Sequence, residues 1–541
     1  MKRYVLNSES GFATLIALIM VGMLTLLGIA ALSTSDDEVN IAGNGLQEMR
    51  AFYAAEAGLE VPAALLQTEY DSTGVPPTIM PSGTMTLNNC AVSYTTADDG
   101  PATQRVLSTG TLAGLHALVK SFSIVDTAVN LSDPAKVVMS QSFETALVPI
   151  FQFAIFYGND LEIAPGPAMN LGGRVHTNGN LWLQSGSGLR MDSYVTSAGE
   201  ILHGRKGAGG VSTGDVEIMD GTGTYVSMKE GAGWLDADDS HWYDSSVARW
   251  QGRVQDSEHG QGEMNVPLTA SASGDPHKLI EPTTGNPDSY ERKSSLKFID
   301  RRAYRKADTL WVDVTDTMTA LGIISFNDDQ FTDQREGTTV DVMELDIEEM
   351  YDEGYDPPNG VIYYSDATSD FPAVRLREGE ELEDPLTVAS ENPVYTLGDY
   401  NSDDKKPAAI MADAVTFLSS TWDDTKSNLN KSNRIAVNTT VNASYMTGNT
   451  ETTDFNYNGG FENLPRFLEV WSGIDFDWSG SAVNLWNSVQ ANGDWSGSYY
   501  SPPNRNWIYD TDLDDPSKLP PESPVIRVFQ RTGWKQEFVG Y

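Results

Sequence analysis

The sequence contains a single cysteine, Cys90, among its 541 residues. One cysteine excludes an intramolecular disulfide and a zinc site built from several thiolates. The six histidines lack metal-ligand spacing such as HExxH, and the chain has no GxSxG elbow, Walker loop or dinucleotide-binding fingerprint. We therefore expect a structural protein and not an enzyme.

Basic residues are also few, with 35 Lys and Arg against 76 Asp and Glu and a formal net charge of -41. Such a chain repels a polyanion, so binding to DNA or RNA is disfavoured. The acidic side chains are concentrated in residues 328–404, where only three arginines oppose them. This segment is interpreted as a solubilising surface, with binding of divalent cations as the alternative.

The N-terminus carries the longest apolar run. Lys2 and Arg3 precede residues 12–32, which contain no charged side chain. A helix over this run is about 31 Å long at about 1.5 Å per residue, enough to cross the hydrocarbon core of a membrane. The sequence therefore predicts a transmembrane helix.

A cleaved secretory signal is a poor explanation of this run, because such signals have a shorter apolar core followed by a small-residue cleavage site. An uncleaved signal anchor stays open as an alternative. The Gly11-Phe12 junction favours a third explanation. It resembles the prepilin peptidase site of type IV pilins, where cleavage falls before the apolar helix and leaves it in the mature protein.

Two further elements sharpen this resemblance, IAGN at residues 41–44 and AFYAAEAGLE at residues 51–60. Together, at this distance from the apolar run, they resemble the N-terminal domain of PilX-type pilus assembly proteins, over about the first 65 residues. The resemblance implies cleavage between Gly11 and Phe12 and methylation of the new amine. The implied partners are other minor pilins, the major pilin, a PilY-type tip protein, the prepilin peptidase and the inner-membrane assembly platform.

Helical periodicity continues beyond the membrane segment. One face of an amphipathic helix is formed at spacings of four, three, four and four residues by Ala42, Leu46, Met49, Tyr53 and Ala57. We expect this face to pack in a filament, and Pro62 to kink or end the helix.

The fifth position after the predicted cleavage site is Ile16. Major pilins usually have Glu there, and its carboxylate can neutralise the amine of the neighbouring subunit. An uncompensated amine in an apolar filament core is costly. Ile16 therefore favours a minor subunit at or near the tip, which primes assembly and displays its head for adhesion.

The predicted fold class is α+β, with a long N-terminal helix and a large, mainly β head. The head is interpreted as solenoid-like, because short apolar pairs from residue 151 onward are separated by Gly and Asn, although no clean repeat period is visible. The predicted divisions are a leader (1–11), the helix (12–66), a pilin-like β domain (67–148), and the head (149–541), with an inserted subdomain (204–355) and an aromatic-rich C-terminal cap (461–541).

One acidic turn suggests a metal. Asp510, Asp512 and Asp514 alternate like the first half of a calcium loop, although Asp515 replaces the usual glycine and Pro521 the usual final glutamate. Calcium is thus a candidate cofactor, with a solvated acidic turn as the simpler explanation.

Two other functions remain open. A large pseudopilin of a type II secretion system would also tolerate Ile16. A membrane-tethered polysaccharide-active enzyme on a β-helix would need carboxylates grouped in one groove.

Overall fold

The computed structural model describes residues 9–73, 75–108, 110–132, 135–207, 210–268, 274–282, 288–453 and 457–539. A single helix, Glu9–Thr73, leads into a β-rich body, which confirms the predicted α+β class. Pro62 lies inside this helix and does not end it. The helix continues to Thr73, so the expected end near residue 66 is wrong. Pro62 is buried on the face that packs on the sheet, where packing offsets the backbone hydrogen bond that a proline cannot donate.

The second half of the helix packs on an antiparallel sheet. The strands of this sheet lie in the order first, second, fourth, fifth and C-terminal, with the third strand also paired to the fourth. Its strands are Ser82–Leu87, Cys90–Asp98, Thr103–Val106, His116–Asn130, Lys136–Pro149 and Val525–Val539.

The position of the last of these strands differs from the prediction of a C-terminal cap over residues 461–541. Val525–Val539 lies in the part of the chain assigned to that cap, but it pairs antiparallel with Lys136–Pro149 along nearly its whole length. The chain therefore returns to the helix-bearing sheet after completing the head. Sequence spacing did not reveal a pairing between strands so distant in the chain.

The head begins with a regular coil of parallel strands. Ile155 pairs with Val175 and Val175 with Val195, so each turn advances by 20 residues. No such period was visible in the sequence. The coil has three sides, formed by Ile155–Tyr157, Val175–Thr177 and Val195–Ser197; by Leu161–Ile163, Leu181–Leu183 and Ile201–His203; and by Met169–Leu171, Gly188–Met191 and Asp215–Met219.

A second stretch of parallel strands continues the first side of this coil. Ala482–Asn484 pairs with Ile155–Tyr157, so turns from both parts of the chain form one body. The remaining parallel strands on this side are Leu296–Ile299, Val361–Ser365, Leu386–Ser390, Ala408–Ala412 and Ser444–Thr447. The facing sheet consists of Ile324–Asp333, Thr338–Asp346, Pro372–Glu381, Val394–Asp403, Val415–Leu418, Thr439–Asn442, Asp475–Gly480 and Asn504–Tyr509.

The predicted insertion at residues 204–355 is not a separate unit. Asp215–Met219 and Thr338–Asp346 are strands of the same sheets as their neighbours outside the segment. The segment adds short helices, antiparallel hairpins and one short parallel strand, Val254–Gln255, which pairs with Val195–Ser197. These elements are Trp242–Trp250, Tyr290–Lys293, Thr315–Ala320 and Ile347–Asp352, with strands Tyr225–Ser227, Lys229–Glu230, Gly233–Trp234, Val254–Gln255, Arg302–Ala307 and Leu310–Asp313.

Candidate functional site: an exposed helix anchored in a sheet

The first half of the helix presents a long apolar surface. Its large apolar side chains between residues 12 and 32 are all exposed, from 42 % for Ile16 to 71 % for Leu18. An apolar surface of this size is not stable in water and requires a membrane or other protein subunits to cover it. By length and composition the helix also qualifies as a membrane span.

The predicted processing junction lies at the start of this exposed segment. Gly11 has no heavy atom within 4 Å of the position that a Cβ would take, and the Phe12 side chain is 68 % exposed. A peptidase acting at the membrane surface would find both residues uncovered. The cleavage itself stays a prediction.

The predicted filament face is also exposed. Ala42, Leu46, Met49 and Tyr53 do not pack against the head of their own chain, and Tyr53 is 57 % exposed. A different face of the helix carries the buried residues, which include Ala51, Ala54, Ala55, Leu59, Ala63, Leu66 and Tyr70. The helix therefore packs one face on the head from Ala51 onward and leaves a different face exposed between Ala42 and Tyr53.

Small side chains allow the anchored half to approach the sheet closely. Four alanines face the buried side chains of Phe122, Ile124 and Phe143, among others. Gly58 fits against Asp126 and Val92, where a Cβ would lie 2.0 Å from the Asp126 Oδ2 atom. At the end of the helix the Tyr70 hydroxyl donates to the Ala146 carbonyl oxygen at 3.1 Å. The second half of the helix and the sheet are thus packed together as one unit.

The C-terminal strand adds an ion pair to this attachment. Both terminal nitrogens of Arg531 lie 2.6 Å from the Glu60 carboxylate, a bidentate arrangement between strand and helix. The hydrogen bonds from Arg531 lower the pKa of Glu60. Because both side chains are about half exposed, the pair contributes little to stability and mainly orients the strand.

The acidic turn at residues 510–515 is a short 3-10 helix, Thr511–Asp514. Its carboxylates are already paired with neighbouring side chains. Lys405 contacts Asp510 at 2.8 Å and Asp512 at 2.9 Å, while the Tyr509 hydroxyl donates to Asp514 at 2.8 Å. Hydrogen bonds from Lys518 and Lys405 lower the pKa of Asp512 to about 2.

No cluster of three or more His, Cys, Asp or Glu side chains suited to a metal occurs among the described residues. The lysines occupy the positions in which a cation would bind, so calcium at this turn stays a prediction.

Part of the acidic segment 328–404 is buried and has a structural role that charge counting did not anticipate. The buried Arg375 guanidinium binds Glu344 from the same segment and Asp424 from outside it. Burial of Arg375 acts to lower its pKa, but the two carboxylates outweigh this effect and raise it. These acidic residues hold neighbouring strands and a loop together.

No protein-family model matches the chain, and no curated protein matches it. Among solved structures, the chain is similar to the competence-associated pilin ComZ from Thermus thermophilus. The identity is 12 %, the match covers 91 % of this chain and 98 % of that chain, and the TM-score is 0.28. A TM-score this low does not establish a shared fold, and it assigns no family to this chain.

Proposed function

We propose that the chain is a pilin-like subunit of a type IV pilus-like system. The observation that carries the proposal is the division of the helix. The apolar side chains of its first half are exposed, and its second half is fixed to an antiparallel sheet through small residues. From Phe12 to Leu46 the helix projects about 51 Å at about 1.5 Å per residue, and the next residue, Gln47, accepts a hydrogen bond from Asn130 on the sheet. An exposed apolar helix of this length needs a membrane or the helices of other subunits around it.

The subunit enters the inner membrane through residues 12–32, loses its leader at Gly11-Phe12 and moves into a filament. Ala42, Leu46, Met49 and Tyr53 form its contact face toward neighbouring subunits. Its partners are other minor pilins, the major pilin, a PilY-type tip protein, the prepilin peptidase and the assembly platform.

Ile16 supports a position at or near the filament tip. A subunit there has no neighbour ahead of it whose amine needs the missing carboxylate. In that position it primes assembly, and its large head is displayed at the cell surface for adhesion.

The test is intact-mass and N-terminal analysis of the protein purified from its native host. Wild type is compared with Gly11→Ala and with Gly22→Ala, a matched glycine inside the helix that also has no neighbour within 4 Å. The expected result is a mature chain that begins at N-methylated Phe12 in wild type and Gly22→Ala, and an unprocessed chain in Gly11→Ala.

Retention of Met1 in the wild type would contradict the proposal and leave a signal-anchored protein. Cleavage after residue 32 would contradict it as well, because the helix would then be a discarded signal.

A further inference from the structure

A short segment of the head, residues 274–282, packs on the first side of the parallel strands, and we call it the latch segment. It contains a 3-10 helix, Pro276–Leu279. The side chains of Leu279 and Ile280 are buried in the same apolar cluster as Tyr363. The Tyr363 hydroxyl donates to the Ile280 carbonyl oxygen at 2.8 Å. The latch segment therefore covers part of this apolar cluster.

His277 lies in the middle of the latch segment, and each of its ring nitrogens is directed at a carboxylate. Its Nδ1 atom is 2.9 Å from Glu281 Oε1, and its Nε2 atom is 3.9 Å from Asp413 Oδ1. The Nε2 atom is buried and has no hydrogen-bond partner in the described structure. Glu281 belongs to the latch segment, whereas Asp413 follows the strand Ala408–Ala412. The imidazole thus joins the latch segment to the body of the head.

This arrangement suits the charged form of the His277 ring. A neutral imidazole carries one N–H group, so one of its two nitrogens would present a lone pair to a carboxylate. A protonated imidazole carries an N–H group on both sides and is attracted to both carboxylates. Loss of one proton therefore replaces one of the two attractive contacts by a repulsive one.

Asp413 keeps its negative charge although its side chain is fully buried. Its oxygens accept from the backbone nitrogens of Val489 at 2.5 Å, Ala491 at 2.7 Å and Gln490 at 3.2 Å. Burial acts to raise the pKa of Asp413, but His277 and these backbone groups outweigh this effect and lower it. The carboxylate is thus ionised at neutral pH and connects His277 to residues 489–491.

The other charged groups around His277 come from its own segment and from the end of a neighbouring strand. Lys278 pairs with Glu281, and Asp275 accepts from the His277 backbone nitrogen at 3.1 Å. Glu391 lies close enough for its charge to act on His277. Carboxylates outnumber cations among these described groups, which favours a proton on His277.

Burial and charge act on the pKa of His277 in opposite directions. Burial acts to lower it, but the carboxylates of Asp413 and Glu281 outweigh this effect and raise it above the ordinary value of 6.5. A folded-state pKa above the unfolded value gives stability that is complete below about pH 6.5 and is lost as the pH rises through the folded pKa. The latch segment is therefore held most firmly in mildly acidic surroundings.

We propose that protonation of His277 controls whether the latch segment stays closed on the head. With both ring nitrogens protonated, His277 fastens the segment to Asp413, and loss of one proton releases the segment and uncovers the apolar side chains beneath it. Trp486 lies at this contact, with its ring edge-to-face to the His277 ring at a centroid distance of 5.9 Å. The head thus presents a more apolar surface at alkaline pH. The inference concerns the head alone and stands whether or not the helix assembles into a filament.

The experiment is hydrogen exchange of the full chain in detergent between about pH 6 and about pH 9, measured at the amides of residues 274–282. Protection factors are compared, because they correct for the faster intrinsic exchange at higher pH. Wild type is expected to lose at least about tenfold in protection across this range, since a charge-assisted contact is lost. His277→Gln cannot take up a proton, so it should show low protection at both ends of the range.

His241→Gln is the matched control, because the His241 side chain is 82 % exposed, and it should keep the pH profile of wild type. Glu281→Gln removes one of the two carboxylates, so the transition should move to lower pH. A purely structural role of Glu281 would lower protection at every pH and leave the transition where it is. The helix amides at residues 51–66 report any general loss of stability and should not respond to His277→Gln.

NMR of the protein labelled at histidine measures the pKa of His277 directly, and the resonance is assigned by its absence in His277→Gln. A pKa at or below the ordinary value of 6.5 overturns the proposal. Equal protection of residues 274–282 at both ends of the pH range in wild type overturns it as well. The same holds if folded His277→Gln keeps the wild-type pH profile.

Discussion

Gly58 on the N-terminal helix lies directly against the carboxylate of Asp126 on the central strand of the antiparallel sheet. A Cβ at residue 58 would lie 2.0 Å from the Asp126 Oδ2 atom and 2.7 Å from Val92 Cγ1. The glycine therefore determines how closely the helix approaches the sheet, and with it the direction in which the head is carried.

Gly58→Ala is expected to loosen this attachment. Overpacking a buried contact costs about 1–3 kcal/mol, and the better helix propensity of alanine returns up to about 1 kcal/mol. The measurement is hydrogen exchange of the helix amides at residues 51–66, which should lose protection. Gly45→Ala is the control, because no atom lies within 4 Å of its added methyl group. Equal loss of protection in both variants would contradict the packing role of Gly58.

Asp126 makes the same interface sensitive to pH. Its side chain is fully buried and neither carboxylate oxygen has a hydrogen-bond partner in the described structure. Burial raises the pKa of Asp126 to about 7 from an ordinary value of 3.8. The folded state thus keeps a proton that the unfolded chain releases. Stability is complete below about pH 4, falls as the pH rises toward 7, and is constant above that.

The expected loss across this window is up to about 4 kcal/mol. Asp126→Asn has nearly the same shape and cannot ionise, so it should remove this pH dependence and stabilise the helix–sheet unit at pH 8. The measurement is the unfolding midpoint of both proteins between pH 4 and pH 8. Parallel curves for wild type and variant would show that Asp126 titrates normally.

Calcium binding at residues 510–515 is limited by competition with lysines. Asp512 contacts both Lys405 and Lys518, and their charges must be displaced before a cation can bind. We expect no calcium binding by wild type below about 1 mM, the weak end of the range of oxygen-ligand sites. The double variant K405M/K518M should bind more tightly, as measured by calorimetry. No binding by the double variant would remove the calcium hypothesis, and tight binding by wild type would show that calcium displaces the lysines.

Local patterns were enough to predict the long helix and a β-rich body after it. The strands near residues 84, 91, 117 and 136 alternate in hydrophobicity because one face of each packs on the helix. The turns of the coil were recognised from their texture, but their period was missed. Matching positions carry Ile155, Val175 and Val195, while the corner residues between them vary.

Contacts between distant parts of the chain could not be predicted from local sequence patterns. The pairing of Val525–Val539 with Lys136–Pro149 and the position of His277 beside Asp413 depend on the complete fold. The isolated arginines within an acidic stretch were the only signal for buried ion pairs such as Arg375 with Glu344. By itself, that signal does not separate a buried pair from an exposed one.

Ile16 offers the most direct test of position in a filament. Its side chain is 42 % exposed in the apolar first half of the helix, at the fifth position after the predicted cleavage site. Ile16→Glu would place a carboxylate where it can neutralise the amine of a neighbouring subunit, which removes a desolvation cost from repeated stacking. We expect the variant to be incorporated along the filament and not only near its end.

Ile19→Glu, one turn further on, introduces the same charge without a partner and serves as the control. The measurement is immunogold labelling of purified filaments, counting labels per filament and their distance from the tip. Increased shaft labelling in Ile16→Glu alone supports a tip position enforced by the missing carboxylate. Equal labelling along the shaft in wild type would show that the subunit stacks without it and would contradict the tip assignment.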